Sequence, residues 1–391
     1  MPISKPKLIR ITTVPDSLFG LLPEQMLYMS QNGFDVTMMS ADNHFREKVI
    51  ANEKCPHIVV PLTRKITPFQ DLYCIALMIY HFIKIKPDIV HTHTPKAGLI
   101  GMIAAYACRV PVRLHTVAGL PLMVQTGFKY KLLLVIEKIT YFCANKVFPN
   151  SYSLKQYMLE KNMCPPSKLD IIGFGSSNGI NLNKFNTKNL DPKILSALKK
   201  EIKYDEKNTY LLSVGRVVKD KGIEELVAAF IEVKKENTNL KLILVGSYEN
   251  DLDPISKHTL DIIQNDEDII AYGLSNKVEY FMEIVNLFVH ASFREGFPNV
   301  LLQAGAMSCP IICSEIPGNI DVVVTNETGL LFEVKNTKDL QKTLSYALQN
   351  KNQMRIFASN LSTIVKNRFE RNFVHSKIKE EYMKQLMRIL G

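Results

Sequence analysis

Residues 209–222 read TYLLSVGRVVKDKG, and this stretch decides the fold. Thr209–Val214 is apolar, with β-branched and aromatic residues that are typical of a buried strand. Gly215 follows it directly, and a helical pattern extends over Lys221–Lys235. A strand, a glycine turn and a helix form the repeating unit of parallel sheets, so the stretch predicts an α/β protein.

The same unit repeats on both sides of this stretch. On the C-terminal side we predict strands at Leu240–Gly246, Ile269–Tyr272, Leu287–Ala291 and Pro310–Cys313, with helices before 265, at Asn299–Met307 and over 337–367. On the N-terminal side we predict strands at Leu8–Val14, Asp35–Ser40, His57–Leu62, Ile89–His93, Val112–Val117, Lys146–Pro149 and Asp170–Ile172, with helices near 22–32, 69–84, 97–107, 128–144 and 152–162. The pattern predicts two consecutive, Rossmann-like, doubly wound domains that bind ligands at the carboxyl ends of their strands.

A polar stretch rich in Asn and Lys, Asn181–Asn208, separates the two patterns and is interpreted as a linker. We therefore divide the chain into domains at 1–187 and 188–367, followed by a final amphipathic segment at 368–391. Two doubly wound domains that face each other would enclose a deep central cleft.

The chain of 391 residues carries a formal charge of +10 that is unevenly distributed. Residues 1–187 hold 21 basic and 11 acidic residues, and residues 351–391 hold 9 basic and 3 acidic residues. Residues 188–350 hold 18 basic and 24 acidic residues, so the middle of the chain is acidic. The sequence shows no RNP, zinc-finger or helix-turn-helix pattern, so the basic surplus predicts an anionic membrane surface as partner rather than nucleic acid.

Two further features indicate where the protein works. The most apolar stretch, Leu72–Ile83, is too short to span a bilayer. The 7 cysteines are odd in number, scattered and without a C-x-x-C pattern, which is typical of reduced thiols in a cytosolic protein. We expect a cytoplasmic protein that is peripheral at the inner face of the cell membrane.

The first motif that can carry chemistry is Gly215–Gly222, which reads GRVVKDKG. Arg216 and Lys221 lie between the end of a strand and the N-terminus of a helix. Cations and free helix N–H groups both favour a diphosphate at such a position. The alternative is an ordinary glycine turn with solvated lysines.

The second motif, Arg294–Ala304, reads REGFPNVLLQA and also follows a strand and opens a helix. Gly296 next to Glu295 allows a ligand to approach the backbone closely. Gln303 lies further along the same helix and could reach the same cleft. The alternative is a helix start at which Glu295 complements the dipole and Gln303 faces solvent.

The third motif is the glycine-rich run Asp170–Ile180, which reads DIIGFGSSNGI. In this order, the motifs resemble the large retaining glycosyltransferase group with the GT-B fold (glycosyltransferase family 4-like), whose C-terminal domain carries G-R-x4-K-G and then E-G-[FL]-x-[NL]-x3-E-A. The N-terminal half resembles the branch that builds bacterial surface polysaccharides, such as capsule and lipopolysaccharide, and lipid-linked oligosaccharides. The segments that carry this second resemblance are Thr13–Leu18, His91–Gly98, Thr116–Leu120, Pro149–Ser151 and Gly175–Gly179.

The resemblance implies roles for residues of the C-terminal domain. Arg216 and Lys221 would grip the donor diphosphate and stabilise the leaving nucleotide without a metal, and Glu295 would hold hydroxyls of the transferred sugar. The other implied donor-binding residues are Gly215, Gly273, Gly296, Phe297, Asn299, Val300, Leu301 and Gln303. The family also implies that the C-terminal helix crosses back to the N-terminal domain.

Two positions depart from the family pattern. Gln303 stands where a Glu usually grips the nucleotide ribose, and because a neutral amide forms a weaker hydrogen bond, we expect weakened or re-tuned donor binding. Ala118 stands where many relatives carry a histidine near the transferred sugar. We therefore expect a different set of residues on the acceptor side, with Gly20, His93, Lys96, Thr116 and Asn150 as candidates.

No metal site is predicted from the sequence. His91 and His93 share one face of a strand but lack a third ligand. Asp251–Asp253 and Asp266–Asp268 each match D-x-D, yet they lie in an acidic region that is typical of a solvated loop.

The segment Phe128–Lys146 carries lysines around an apolar stripe and has two interpretations. It is a core-packed helix with a solvated basic edge, or an interfacial helix that lies on anionic lipid.

The resemblance implies a retaining, metal-independent glycosyltransferase that uses a UDP- or GDP-sugar as substrate and needs no cofactor. The expected acceptor is a polyprenyl-diphosphate-linked glycan or a polysaccharide, bound by the N-terminal domain. Gln303 and Ala118 leave open a non-catalytic, nucleotide-sugar-binding subunit on the same fold. A nucleotide-sugar epimerase is a further alternative, and it should show additional catalytic carboxylates and histidines.

Overall fold

The computed structural model describes residues 5–249 and 253–390, which form two compact units. The first unit contains the described residues up to Gly179 together with those from Arg371 onward, and the second is Ile180–Glu370. The division falls after Gly179 and not after residue 187, because Ile180 and Phe185 are buried in the core of the second unit.

The first unit is built on a parallel sheet of six strands in the order β3-β2-β1-β4-β5-β6. Its strands are β1 (Lys7–Ile11), β2 (Asp35–Ser40), β3 (His57–Val59), β4 (Ile89–His93), β5 (Val112–Val117) and β6 (Lys146–Pro149). Its helices before the boundary are α1 (Pro15–Leu21), α2 (Gln25–Gln31), α3 (Arg46–Glu53), α4 (Pro68–Ile85), α5 (Pro95–Ala107), α6 (Gly127–Cys143) and α7 (Tyr152–Glu160). Proline at the first turn favours the starts of α1, α4 and α5, since the missing N–H has no partner there in any case.

The second unit repeats this architecture in the order β12-β11-β10-β7-β8-β9. Its strands are β7 (Thr209–Val214), β8 (Leu240–Val245), β9 (Ile269–Gly273), β10 (Leu287–His290), β11 (Ile311–Ser314) and β12 (Leu330–Phe332). Its helices are α8 (Pro192–Glu201), α9 (Ile223–Lys234), α10 (Lys257–Asn265), α11 (Val278–Ile284), α12 (Asn299–Ala306), α13 (Thr337–Gln349) and α14 (Lys351–Arg368).

The last helix, α15 (Arg371–Leu390), packs on the sheet of the first unit. Val374, Ile378 and Tyr382 are buried in one cluster with apolar residues of β1, β2 and β4. Among residues 5–249 and 253–390, no helix has both the length and the apolar character that a bilayer crossing requires.

The two sheets share the strand order of doubly wound folds, and this order positions the site. The direction in which strands are added reverses between β1 and β4 in the first sheet and between β7 and β10 in the second. The loops after such a pair of strands diverge, and they leave a crevice at the carboxyl ends where ligands bind. Residues 215–222 follow β7, and Glu295 follows β10. The topology therefore brings the two donor motifs to the same edge.

Several local predictions differ from the structure, and the short helices α1, α3 and α11 were not predicted. The strand predicted at Asp170–Ile172 is wrong: Leu169 forms only an isolated bridge, and positive φ angles at Gly173 and Gly175 turn the chain away from an extended path. The stretch interpreted as a linker contains α8, whose N-terminus is capped by the Asp191 carboxylate and whose Leu198 is buried. The prediction also missed β12, since three residues are too few to show a strand period.

Candidate active site

The turn after β7 is held against the end of β10 by Gly222. Gly222 has φ +65°, and a Cβ built on it would lie 2.1 Å from the carbonyl oxygen of Ala291. Only glycine allows both the left-handed backbone and this approach. Because of this contact, Lys221, which precedes Gly222, lies next to the loop that follows β10.

We expect Gly222→Ala to lower the free energy of unfolding of the second unit by about 3 kcal/mol, since strain at φ and the clash with Ala291 act together. Thermal unfolding of the variant measures this. Gly20→Ala is the matched control, because a Cβ on Gly20 meets no atom within 4 Å and lies in a helix. Equal losses in both variants would mean that the Gly222–Ala291 contact is not the cause.

Glu295 is the centre of a hydrogen-bonded group at this edge. Its Oε1 lies 2.5 Å from Nζ of Lys221 and 3.1 Å from Nε2 of His290, the last residue of β10. The Lys221 ammonium also lies 3.5 Å from the hydroxyl of Ser292. Burial alone would raise the pKa of Glu295, but the charge of Lys221 and the hydrogen bond from His290 outweigh it and hold this pKa far below its ordinary value. The carboxylate is therefore ionised and acts as a hydrogen-bond acceptor.

Arg216 lies beside the same turn and is held by carboxylates. Its Nη1 is 2.5 Å from Oε2 of Glu249, and its Nη2 is 3.7 Å from Oδ1 of Asp220. Asp220 in turn accepts a hydrogen bond of 2.7 Å from Nη2 of Arg294. The Arg216 side chain is about a third exposed, so a ligand diphosphate can reach its guanidinium by replacing the contact with Glu249.

The remaining donor-side candidates surround this group. Gly215 has φ +152° and follows β7, and Gly273, with φ +83°, ends β9 beside open space. Gly296 and Phe297 precede α12, and its first two turns contain Asn299, Val300, Leu301 and Gln303. The Leu301 amide already donates to the carbonyl of Pro298, so it offers no free N–H group to a ligand. Gln303 is half-buried on α12.

The acceptor-side candidates fall into two groups in the first unit. Gly20 is exposed at its surface, whereas Lys96 is half-buried and its ammonium lies 2.5 Å from Oδ2 of Asp71. His93, Thr116 and Asn150 are buried side chains. These three can contact an acceptor only if the surrounding chain moves, so their role remains a prediction.

Sequence reasoning missed His290 and Glu249. His290 ends the strand that precedes Glu295, and a histidine at the carboxyl end of a strand beside the switch point is a signal that could have found it. Glu249 follows β8, and its contact with Arg216 spans 33 residues, so local spacing does not indicate it.

The aspartates of the D-x-D matches do not form a metal site in the described chain. Asp266 and Asp268 both form ion pairs with Lys234, and Asp268 also pairs with Lys241. Asp251 and Leu252 lie outside the described residues. Within 5–249 and 253–390, no group of three His, Cys, Asp or Glu side chains is arranged to hold a metal ion.

Two doubly wound units, with a cation pair and a carboxylate at the switch point of the second, define the protein as a GT-B glycosyltransferase. The sequence profile described as glycosyl transferases group 1 matches residues 196–362, and the one described as a glycosyl transferase 4-like domain matches residues 24–175. The chain belongs to this family of group 1 glycosyltransferases, since it is 34% identical over 96% of both chains to the capsular polysaccharide biosynthesis glycosyltransferase CapM of Staphylococcus aureus.

Other relatives agree with this assignment. The UDP-Gal:alpha-D-GlcNAc-diphosphoundecaprenol alpha-1,3-galactosyltransferase of Escherichia coli is 25% identical over 93% of this chain and 91% of that protein. Among solved structures, a glycosyltransferase from Rickettsia africae ESF-5 has a TM-score of 0.78 at 20% identity and covers 98% of this chain and 99% of its own. Anabaena Alr3699/HepE in complex with UDP-glucose has a TM-score of 0.79 at 16% identity, with 97% and 99% covered. These two structures share the fold.

Proposed function

We propose that the protein is a retaining, metal-independent glycosyltransferase that transfers a hexose or N-acetylhexosamine from a UDP- or GDP-sugar to a polyprenyl-diphosphate-linked glycan or a polysaccharide. The observation that carries the proposal is the placement of Lys221, Arg216 and Glu295 together at the switch point of the second sheet. The similarity to CapM and to the diphosphoundecaprenol galactosyltransferase supports a surface-polysaccharide acceptor.

Each residue of the site has a chemical task in this proposal. Arg216 and Lys221 stabilise the negative charge that develops on the diphosphate as the bond to the sugar breaks. The ionised Glu295 accepts hydrogen bonds from hydroxyls of the sugar. The acceptor hydroxyl attacks the anomeric carbon from the face that the nucleotide leaves, and the leaving phosphate takes the hydroxyl proton. The bond to the acceptor oxygen therefore replaces the bond to the phosphate oxygen with no side-chain nucleophile.

An apolar and basic surface on the first unit supports a lipid-linked acceptor at the inner face of the membrane. Phe69, at the start of α4, is 90% exposed, and Phe128, at the start of α6, is 81% exposed. Lys129, Lys131 and Lys138 on α6 are also exposed. Helices α4 and α6 both pack on α5 and so lie on the same face of the sheet. Exposed aromatic side chains next to lysines fit the interface of an anionic bilayer.

We expect the combined change Phe69→Ser and Phe128→Ser to weaken binding to vesicles of anionic lipid at least tenfold, since both rings are removed from the proposed contact. Flotation or sedimentation with vesicles measures this. Ile356→Ser, at an exposed position on α14 of the second unit, is the matched control. Equal binding of wild type and double variant would contradict the membrane contact.

We expect Gln303→Glu to bind the nucleotide more tightly, by about three- to tenfold, because a charged acceptor strengthens a hydrogen bond to the ribose. Titration calorimetry with UDP and GDP measures this. An unchanged or lower affinity for both nucleotides would show that the side chain does not face the ribose.

One assay distinguishes the proposed enzyme from a non-catalytic binding subunit. The binding subunit is the second candidate because Gln303 stands where the family usually has Glu. The protein is incubated with a panel of labelled UDP- and GDP-sugars and a lipid-linked acceptor extract. Transfer that is lost in Arg216→Ala and Lys221→Ala supports the enzyme. Tight nucleotide binding without transfer from any donor would support the binding subunit, and interconversion of free nucleotide sugars without transfer would support an epimerase.

A further inference from the structure

Arg216, which grips the diphosphate in the proposed function, is held by carboxylates of the second unit. Its Nη1 lies 2.5 Å from Oε2 of Glu249, whereas its Nη2 lies 3.7 Å from Oδ1 of Asp220. Asp220 is shared with Arg294, whose Nη2 lies 2.7 Å from the other carboxylate oxygen. Glu249 is therefore the closest anionic partner of Arg216 in the described chain.

The backbone of the loop after β8 positions Glu249 beside this guanidinium. A Cβ built on Gly246 would lie 1.7 Å from the carbonyl oxygen of Gly215, so the loop touches the turn after β7. Tyr248, the residue before Glu249, forms a bridge with Val217 in that turn. Because these contacts hold the backbone, the ion pair opens by rotation of the Glu249 side chain alone.

Glu249 has a single partner in the described chain, unlike the other carboxylate that holds a cation of the site. Glu295 contacts both Lys221 and His290, whereas the hydrogen bond and the ion pair of Glu249 are both with Arg216. A diphosphate needs the same edge of the guanidinium, and its oxygens repel a carboxylate that lies a few ångströms away. Glu249 and a diphosphate therefore exclude each other at Arg216.

We propose that Glu249 is an internal competitor of the nucleoside diphosphate for Arg216 and so weakens the binding of both the donor and the product. The inference rests on the proposed function, since it takes the diphosphate site from there. A partly exposed ion pair is of modest strength, so the competition lowers affinity by about three- to tenfold. Donor and product carry the same diphosphate, so Glu249 limits product inhibition without taking part in bond breaking. It is a positioning residue that acts through Arg216.

Titration calorimetry of the full-length protein with UDP and GDP tests the competition. We expect Glu249→Gln to lower the Kd of the tighter-binding diphosphate by about three- to tenfold. The KM for the matching nucleotide sugar should fall by a similar factor while kcat does not rise, because donor and transition state gain equally. Glu232→Gln, at an exposed carboxylate that pairs with Lys235, is the matched control and should leave the Kd unchanged. A Kd of Glu249→Gln equal to or higher than that of wild type would overturn the proposal.

A second variant separates competition at Arg216 from a general effect of charge. In the Arg216→Ala background, most of the gain from Glu249→Gln should disappear, since nothing is left to compete for. A gain of the same size in that background would overturn the proposal. The outcome also distinguishes this inference from the proposed function: if Arg216→Ala binds UDP and GDP as tightly as wild type, the donor site itself is wrongly assigned.

A crystal structure of the wild-type protein with the tighter-binding diphosphate provides a direct measurement. We expect a phosphate oxygen within about 3 Å of Nη1 of Arg216 and the Glu249 carboxylate turned away, beyond hydrogen-bond distance. A complex in which Glu249 keeps its contact with Arg216 while the diphosphate is bound would overturn the proposal, whatever the affinities of the variants.

Discussion

Lys221→Ala is expected to lower kcat for sugar transfer by about 100- to 1,000-fold, the size of effect seen when one group that stabilises transition-state charge is removed. The loss has two sources. The developing charge on the diphosphate loses its ammonium, and Glu295 loses the cation that lies 2.5 Å from its carboxylate. Initial rates with a saturating nucleotide sugar measure the effect.

Controls separate this chemistry from a general effect of charge. Lys219→Ala removes a lysine from the same turn, but Lys219 is exposed and should retain nearly full activity. Because Lys221 and Glu295 form a pair, the double variant with Glu295→Gln should lose much less than the product of the two single losses. The assigned roles would be contradicted if the activity loss of the double variant equalled the product of the two single losses. They would also be contradicted if Lys221→Ala were as active as wild type.

Acidification from pH 7 to pH 5 is expected to destabilise the first unit, by about 4 kcal/mol from His115 and His375 together, which is a large share of the stability of an ordinary domain. His91, His93, His115 and His375 are all buried in this unit. Burial is the main cause of a lowered pKa in each, to about 3 in His115 and in His375. Since the unfolded chain then binds more protons than the folded one, stability is full above pH 6.5 and is lost as the pH falls toward these values.

Calorimetry between pH 7.5 and pH 4.5 measures this loss. His375→Gln removes one of these groups, so the slope of stability against pH should fall by up to about 1.4 kcal/mol per pH unit. His258→Gln, at an exposed position in the second unit, is the control. A first unit that keeps its stability down to pH 4.5 would show that these histidines are accessible to protons in the folded state.

The positions of the proposed donor-side residues were largely predictable from sequence because these residues lie directly after strands. Gly215–Gly222 follows β7 and Glu295 follows β10, so a correct prediction of the strands already places them at one edge. The contact of Lys221 with Glu295 follows from the pairing of β7 with β10. This strand pairing cannot be inferred from the order of the motifs alone. Glu249 was not predicted because the loop after β8, in which it lies, carries no motif that points to it.

The acceptor side was less predictable because alternation along a strand does not show which face is solvated. His93 and Thr116 follow the pattern of a strand end, yet both are buried, and Thr116 lines a cavity together with the glycine-rich run and Ile378 of α15. Arg10 reads as an ordinary basic residue near the N-terminus and is instead fully buried. Burial of this kind depends on α15, which comes about 360 residues later in the chain.

Equilibrium binding of UDP and GDP, compared with UMP and GMP, tests the central claim most directly. The account predicts that one of the two diphosphates binds at least 100-fold more tightly than its monophosphate. In the variant with both Arg216→Ala and Lys221→Ala, the two affinities should become nearly equal because the contacts to the second phosphate are lost. A diphosphate preference that survives in this variant would contradict the assignment of the donor site.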